Sequence, residues 1–395
     1  MKPIAVIGSG LAGYTVAREF RKLDKTTPLL IITGDDGGVY SKPMLSNAFA
    51  MGKQPQQLQS KTADQMAAEL NATILTKTQV SSINTVAQTI QTRMGDFDYA
   101  QLVLALGAQA IRLPIAGNAA DQVLSVNNLA DYAVFRNKLA QAGDRARVTI
   151  LGAGLIGCEF SDDLASAGHE VVLIDPNTLP LAALAPTAIS QGLHAALNAK
   201  GVQLKLGTTA SQIDVLDNTL QVTLSNGESF NTDVVLSAVG LRAEIRLAQA
   251  AQLQTDRGIM INEYGQTSAP DIFALGDCAQ YKQADGSHSL MPYVAPIMTA
   301  ARAIALSLTG QLTTIDMKLA AVLVKTPSYP IALIPPTFTV SKSGAWESNH
   351  AEGTTTSRYF DEGKKLHGFA VAPQDAKSRN ALLAELAEAQ AARLI

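Results

Sequence analysis

Cysteine is nearly absent: the 395 residues include two, Cys158 and Cys278. Two cysteines so far apart make neither a disulfide framework nor a CxxC metal or redox pair, and a reducing cytoplasm suits such a chain. The five histidines, His169, His194, His288, His350 and His367, show no metal-ligand spacing, so no metal is expected. Charge is scarce too. Charged residues make up 16% of the chain, against about 25% in an average soluble protein. The formal net charge is −3 and no basic run exceeds two residues, as in Lys364-Lys365. A nucleic-acid binder would carry a basic excess, although a local basic patch for an acidic partner stays open. No run of about 18 apolar residues occurs, so no membrane span is expected. Glycines interrupt the opening MKPIAVIGSGLAG and no cleavage-like site follows it, so it reads as a strand and not a signal peptide.

What is abundant is apolar residues, at 47%, with glycine placed at strand ends. Residues 3–7 (PIAVI) have a buried-strand pattern, followed by Gly8-Ser9-Gly10-Leu11-Ala12-Gly13 and a helical stretch from Tyr14 to Leu23. A second strand, Leu29–Thr33, runs into Gly34-Asp35-Asp36. The same grammar returns about 144 positions later. Strand Val148–Leu151 leads into Gly152-Ala153-Gly154-Leu155-Ile156-Gly157 and a helix, and the next strand ends at Asp175. A lone GxGxxG is weak, but a glycine turn after a strand, opening a helix and answered by an acid, is a dinucleotide-binding signature. The first two glycines allow the tight turn and close approach of backbone to a pyrophosphate. The third lets helix and strand pack, and the helix N-terminus offers free N–H groups to the phosphates.

The acids choose the cofactors. Asp175 suits an adenosine ribose 2′-OH and repels a 2′-phosphate. No Lys or Arg stands between Glu170 and Ala199 to bind that phosphate, so NADH is preferred over NADPH. In the first site Asp36 is the ribose partner, with Asp35 the alternative. Two further strands, Leu102–Leu106 and Val234–Ala238, end in Gly107 and near Gly240 and mark boundaries. The fold class is therefore α/β, with two Rossmann-like domains and a small α+β C-terminal domain. The division is 1–106 plus 242–318 for the first domain, 107–241 for an inserted second, and 319–395 for a third. The last is Pro-punctuated and strand-like before an Ala/Leu-rich helical tail.

Along nearly its whole length the chain resembles the flavoprotein reductases with two dinucleotide domains. That resemblance implies FAD on the first turn and NADH on the second. It also singles out Ala274-Leu275-Gly276-Asp277, whose acid meets the FAD ribityl chain in such proteins. More closely, the chain is similar to the bacterial rubredoxin–NAD⁺ reductases, which serve alkane hydroxylation. The segments behind this are Val39-Tyr40-Ser41-Lys42-Pro43-Met44-Leu45-Ser46, Leu151 to Phe160, and Val324-Lys325-Thr326-Pro327. Ferredoxin reductases of oxygenase systems are the nearest competitor, but usually carry Arg-Pro-Pro where this chain has Ser41-Lys42-Pro43.

The resemblance further implies Lys42 as a cation near flavin N5, paired with Glu159, which also meets the nicotinamide. It places Lys325 towards the flavin pyrimidine. Pro43, Val80, Gly107, Gly240 and Pro296 complete the cofactor candidates, with Pro296 in the first turn of a helix facing the flavin. Related enzymes place a redox cysteine beside the flavin. Here there is none, and Cys158 and Cys278 read as buried small apolar residues. Electrons are thus expected to pass from NADH to flavin as hydride, then singly to an outside acceptor. That acceptor is expected to be rubredoxin, a small acidic protein, met by a basic rim drawn from Lys318, Lys325, Lys342, Lys377 and Arg379. With no dithiol to be completed by a second subunit, a monomer is expected.

Overall fold

Four-residue runs such as IAVI and LLII, apolar at every position, have no polar face to offer water, so they must be covered on both sides. A parallel sheet flanked by helices does this. A computed structural model describes residues 1–283, 286–337 and 344–391; Lys342 lies outside the described residues. The chain divides into two compact units.

The first unit comprises Met1–Lys42, Gln56–Gln109 and Leu241–Lys318. Its five-stranded parallel sheet runs in the order Ile272–Ala274, Gln101–Leu104, Ile4–Ile7, Leu29–Ile32, Thr73–Leu75. The strand feeding the first glycine turn is central, and all four of its residues are buried. Helix Leu11–Leu23 packs against helix Val294–Leu308. A three-stranded antiparallel meander, Val80–Asn84, Thr89–Thr92 and Gly95–Asp98, is appended.

The second unit comprises Pro43–Pro55, Ala110–Gly240 and Leu319–Ile395. Its parallel sheet runs Leu124–Ser125, Val234–Ser237, Arg147–Leu151, Glu170–Asp175, Gln203–Leu206. The plan is that of the first unit: the glycine-turn strand is central and the acid-bearing strand lies beside it. An antiparallel meander, Ala210–Leu216, Thr219–Leu224 and Ser229–Thr232, is again appended. The duplication read in the sequence is thus a duplication of topology.

The C-terminal segment forms its own antiparallel sheet, in the order Val322–Val324, Ile331–Ile334, Leu366–Ala372, Thr354–Asp361, Gly344–Ala351. Helix Ala376–Ala391 covers it through Leu382 and Leu386, buried with Phe369 and Val371. Sequence reasoning separates this segment as a third domain. It has its own sheet and core, yet it belongs to the same compact unit as 110–240, as does the short stretch 43–55. Among the described residues, no helix is long and apolar enough to cross a membrane.

Candidate functional site: two glycine turns and a buried carboxylate

The six glycines of the two turns do three different jobs. Gly8 and Gly152 have φ of +110° and +100°, a region that L side chains rarely adopt. A Cβ on Gly13 would collide with the Gly8 carbonyl oxygen, and one on Gly157 with that of Gly152. These third glycines are therefore needed for helix–turn packing. Gly10 and Gly154 differ. Their φ values are −67° and −76°, open to any residue, and a Cβ there would meet nothing within 4 Å. Neither backbone nor packing demands glycine at these two N-cap positions. Both are exposed at the N-terminus of a helix, whose first N–H groups would donate to a pyrophosphate. The residues present thus fit two dinucleotides. Leu11, Ala12 and Leu155 are partly buried in the first helical turns, whereas Ile156 is 45% exposed.

Each acid is wired to its turn. Asp175, buried at the end of its strand, accepts the N–H of Ala153 on Oδ2 at 2.7 Å. Its Oδ1 accepts from Asn177 N and Nδ2, both at 2.8 Å. In the first unit Asp35 holds the matching place. Its Oδ1 accepts from Ser9 Oγ at 3.0 Å and Thr33 Oγ1 at 2.6 Å. Asp36, preferred from sequence, instead caps its own turn through the N–H of Gly38 at 3.0 Å. Tyr14 donates to the Gly37 carbonyl at 2.6 Å, and burial pushes its phenol up to about 12.

Gly276 has φ +78°, and a Cβ there would stand 2.9 Å from that of Ala12. The Gly-Asp turn is thereby seated against the first turn's helix. Its N–H donates to the buried Tyr281 hydroxyl at 2.9 Å. Lys42 Nζ lies 3.8 Å from Asp277 Oδ2. Pro296 is buried in the first turn of helix Val294–Leu308, where its missing N–H costs no helical hydrogen bond. Val80 begins the first unit's meander and packs on its core. Gly107 and Gly240 both have positive φ.

Helix Leu155–Ser166 presents three buried acids on one face, Glu159, Asp162 and Asp163. Glu159 accepts from Ser46 Oγ at 2.5 Å and from the N–H of Lys325 at 2.9 Å, and forms an ion pair with the Lys325 ammonium. Lys325 also donates to Ser46 Oγ at 3.3 Å. Sequence reasoning paired Glu159 with Lys42. The structure gives it Lys325, and adds Ser46, which spacing alone had not singled out. Asp162 accepts the N–H of Ser328 at 3.1 Å. Asp163 accepts the N–H groups of Phe49 at 3.0 Å and Ala50 at 2.7 Å. Burial raises its carboxyl to about 6, against these lowering bonds. Arg136 completes the anchorage: its guanidinium lies 3.8 Å from the Phe49 ring centroid and donates to the Lys53 carbonyl at 3.1 Å.

Both cysteines are free and fully buried. Burial, the largest cause, raises the Cys278 thiol to about 12 and raises Cys158 further still. Neither is poised as a nucleophile. Among the described residues no cluster fit to hold a metal exists.

Two nucleotide turns on duplicated parallel sheets, with a Gly-Asp turn beside the first, define a pyridine-nucleotide oxidoreductase of the two-dinucleotide-domain class. The chain belongs to the pyridine nucleotide-disulphide oxidoreductase family, which matches residues 2–303. A second match, described as a rubredoxin binding C-terminal domain, spans residues 314–386. The chain is 40% identical to a rubredoxin-NAD(+) reductase of Acinetobacter baylyi over 98% of both chains. It is 41% identical to one of Alcanivorax borkumensis, over 98% of this chain and 99% of that one. The fold is similar to the reductase in a crystal structure of the covalent putidaredoxin reductase–putidaredoxin complex. That match has a TM-score of 0.86 at 24% identity, covering 96% of this chain and 92% of the other. The disulphide in the family's description has no counterpart in Cys158 and Cys278.

Proposed function

We propose that this chain is an FAD-dependent NADH:rubredoxin oxidoreductase that supplies electrons for alkane hydroxylation in the cytoplasm. FAD and NADH are its cofactors. One observation carries the acceptor: a rubredoxin-binding segment at 314–386 in a chain matched over its full length by rubredoxin-NAD(+) reductases. Burial of both thiols supports the same reading, since it leaves no dithiol to receive the electrons.

In this reading the Gly8–Gly13 turn holds the FAD pyrophosphate, Asp35 the adenosine ribose, and Asp277 the ribityl chain beside Lys42. The Gly152–Gly157 turn holds the pyrophosphate of NADH and Asp175 its ribose. The FAD segments are then 1–106 and 242–318, and 107–241 binds NADH. Bound FAD supplies conversion of a two-electron hydride donor into one-electron transfers. The chain's own residues position and tune. Ser46 and Lys325 hold Glu159 in one rotamer with its charge balanced, so the carboxylate is fixed in place for the nicotinamide end of NADH. Glu159 needs this support, because an unpaired buried carboxylate is costly.

The test is stopped-flow oxidation of the NADH-reduced protein by rubredoxin and by a [2Fe–2S] ferredoxin. Rubredoxin is expected to reoxidise it faster. Much faster reoxidation by ferredoxin would sink the assignment, and a purified protein without flavin absorbance would sink the whole reading.

A further inference from the structure

After its C-terminal end, helix Val294–Leu308 is followed by a strap without regular secondary structure, residues 313–318, that lies within the first unit. The strap alternates. Ile315 and Met317 pack into the core, and the N–H of Ile315 donates to the Glu263 carbonyl at 2.7 Å. Thr314, Asp316 and Lys318 therefore face outward, and all three are exposed. On the helix, Thr299, Arg302 and Leu306 share one face by their three- and four-residue spacing. Helix face and strap line a cavity of about 240 Å³ that includes Thr299, Arg302, Leu306, Thr314, Asp316 and Lys318. Among the described residues neither Arg302 nor Lys318 forms an ion pair within the chain.

We infer that this groove is a docking subsite for a carboxylate of the acidic acceptor protein, with Arg302 as its anchor; the inference rests on the function proposed above. Two observations support it. The cavity holds two cations against one acid, so its charge complements a carboxylate. Arg302 adds the planar fork that binds carboxylate in two-point fashion. The strap is also continuous with the rubredoxin-binding match, which begins at Thr314. The strap's outward residues thus face the same groove as Arg302, which lies outside the matched segment. Within the first unit, the subsite combines the strap with this helix face. Asp316 in the lining argues against a phosphate polymer as occupant, because it would repel a dense row of charges while tolerating a single carboxylate. Leu306, also in the lining, adds apolar surface that helps exclude water around the pair.

The experiment compares wild type, Arg302→Glu, Arg302→Gln and Asp316→Asn as FAD-loaded full chains. Steady-state reduction of rubredoxin is measured from low to high salt, and menadione, a neutral acceptor, reports electron delivery without a charged dock. At low salt, Arg302→Glu is expected to lower kcat/KM for rubredoxin about tenfold or more. Arg302→Gln should lower it less, and Asp316→Asn should raise it. Both Arg302 variants should flatten the salt dependence, because steering by exposed charge is screened. Menadione rates and melting temperatures should not change. Wild-type rubredoxin kinetics in all the variants would overturn the subsite while leaving the proposed function standing. A wild type that reduces menadione but not rubredoxin would overturn both. Equal loss of rubredoxin and menadione rates in Arg302→Glu would overturn docking in favour of a structural role.

Discussion

Ala153 donates its backbone N–H to Asp175 Oδ2 at 2.7 Å, so the middle of the second glycine turn and the acid proposed to read the ribose are one hydrogen-bonded unit. Asn177 fixes the other oxygen. Asp175→Ala should raise the NADH dissociation constant about tenfold, roughly 1.4 kcal/mol, and narrow the preference over NADPH. Asn177→Ala should do the same more weakly. Titration calorimetry with both nucleotides decides it, and an unchanged preference removes Asp175 from the ribose.

Gly154 and Gly157 stand three residues apart and should answer differently to the same substitution. Gly154→Ala has room and an ordinary φ, so the nucleotide-free protein should melt within about 2 °C of wild type. Its NADH affinity should nonetheless fall about tenfold, because the methyl group takes the ligand's space. Gly157→Ala drives a methyl group into the Gly152 carbonyl and should lose about 1–3 kcal/mol of stability. Equal melting temperatures for the two variants would refute this division of roles.

Asp163 sets a pH signature. Its carboxyl is raised from 3.8 to about 6 in the folded chain, chiefly by burial, so the folded state binds the proton more tightly than the unfolded one. The contribution to stability is complete below about pH 4 and is lost as pH rises through about 6. Asp163→Asn should remove that component. The wild-type-minus-variant difference in unfolding free energy should therefore fall by on the order of 1–3 kcal/mol between pH 4 and 7. Urea titrations across that range measure it, and a flat difference rejects the assignment.

Glu159 is almost wholly buried and its ammonium partner is half-exposed. Lys325→Met leaves a buried carboxylate with one neutral hydroxyl and one N–H. The variant should be destabilised by about 2 kcal/mol, and Glu159→Gln in the same background should recover part of the loss. Chemical denaturation of Lys325→Met, Glu159→Gln and the double variant forms the check; additive losses would mean that the pair is not coupled.

Cys158 and Cys278 should resist iodoacetamide at pH 8 in the native protein and react fully once unfolded, since burial holds both thiols neutral. Mass spectrometry counts the adducts. Native labelling of either would reopen thiol chemistry for this chain.

The sequence made the local devices legible and hid the distant ones. A glycine turn between strand and helix is a local pattern, so both glycine turns, the strand ending at Asp175 and the Gly276-Asp277 turn were readable as elements of the backbone. The choice between Asp35 and Asp36 was not, because one residue of register along an irregular turn decides which carboxylate meets Ser9. The Ser46–Glu159–Lys325 cluster joins residues more than a hundred positions apart. Charges at such separations have no periodicity to link them. Glu159 itself was readable from its place after the turn, but its partner was set by tertiary packing. Likewise Asp162 and Asp163 look in sequence like an ordinary acidic pair on a helix, and nothing local says that both are buried against backbone N–H groups.

Residues 43–55 lie in the chain between two parts of the first unit but pack with the second. For protein engineering this sets a rule of cutting. A chimera that exchanges only residues 107–241, the half proposed to bind NADH, would leave behind Ser46, Lys325, Phe49 and Ala50, partners of Glu159 and Asp163. The donor half would arrive with two acids facing a foreign loop. The exchangeable piece is a set of three segments, and recombinants that respect it should inherit a nucleotide preference without losing the fold.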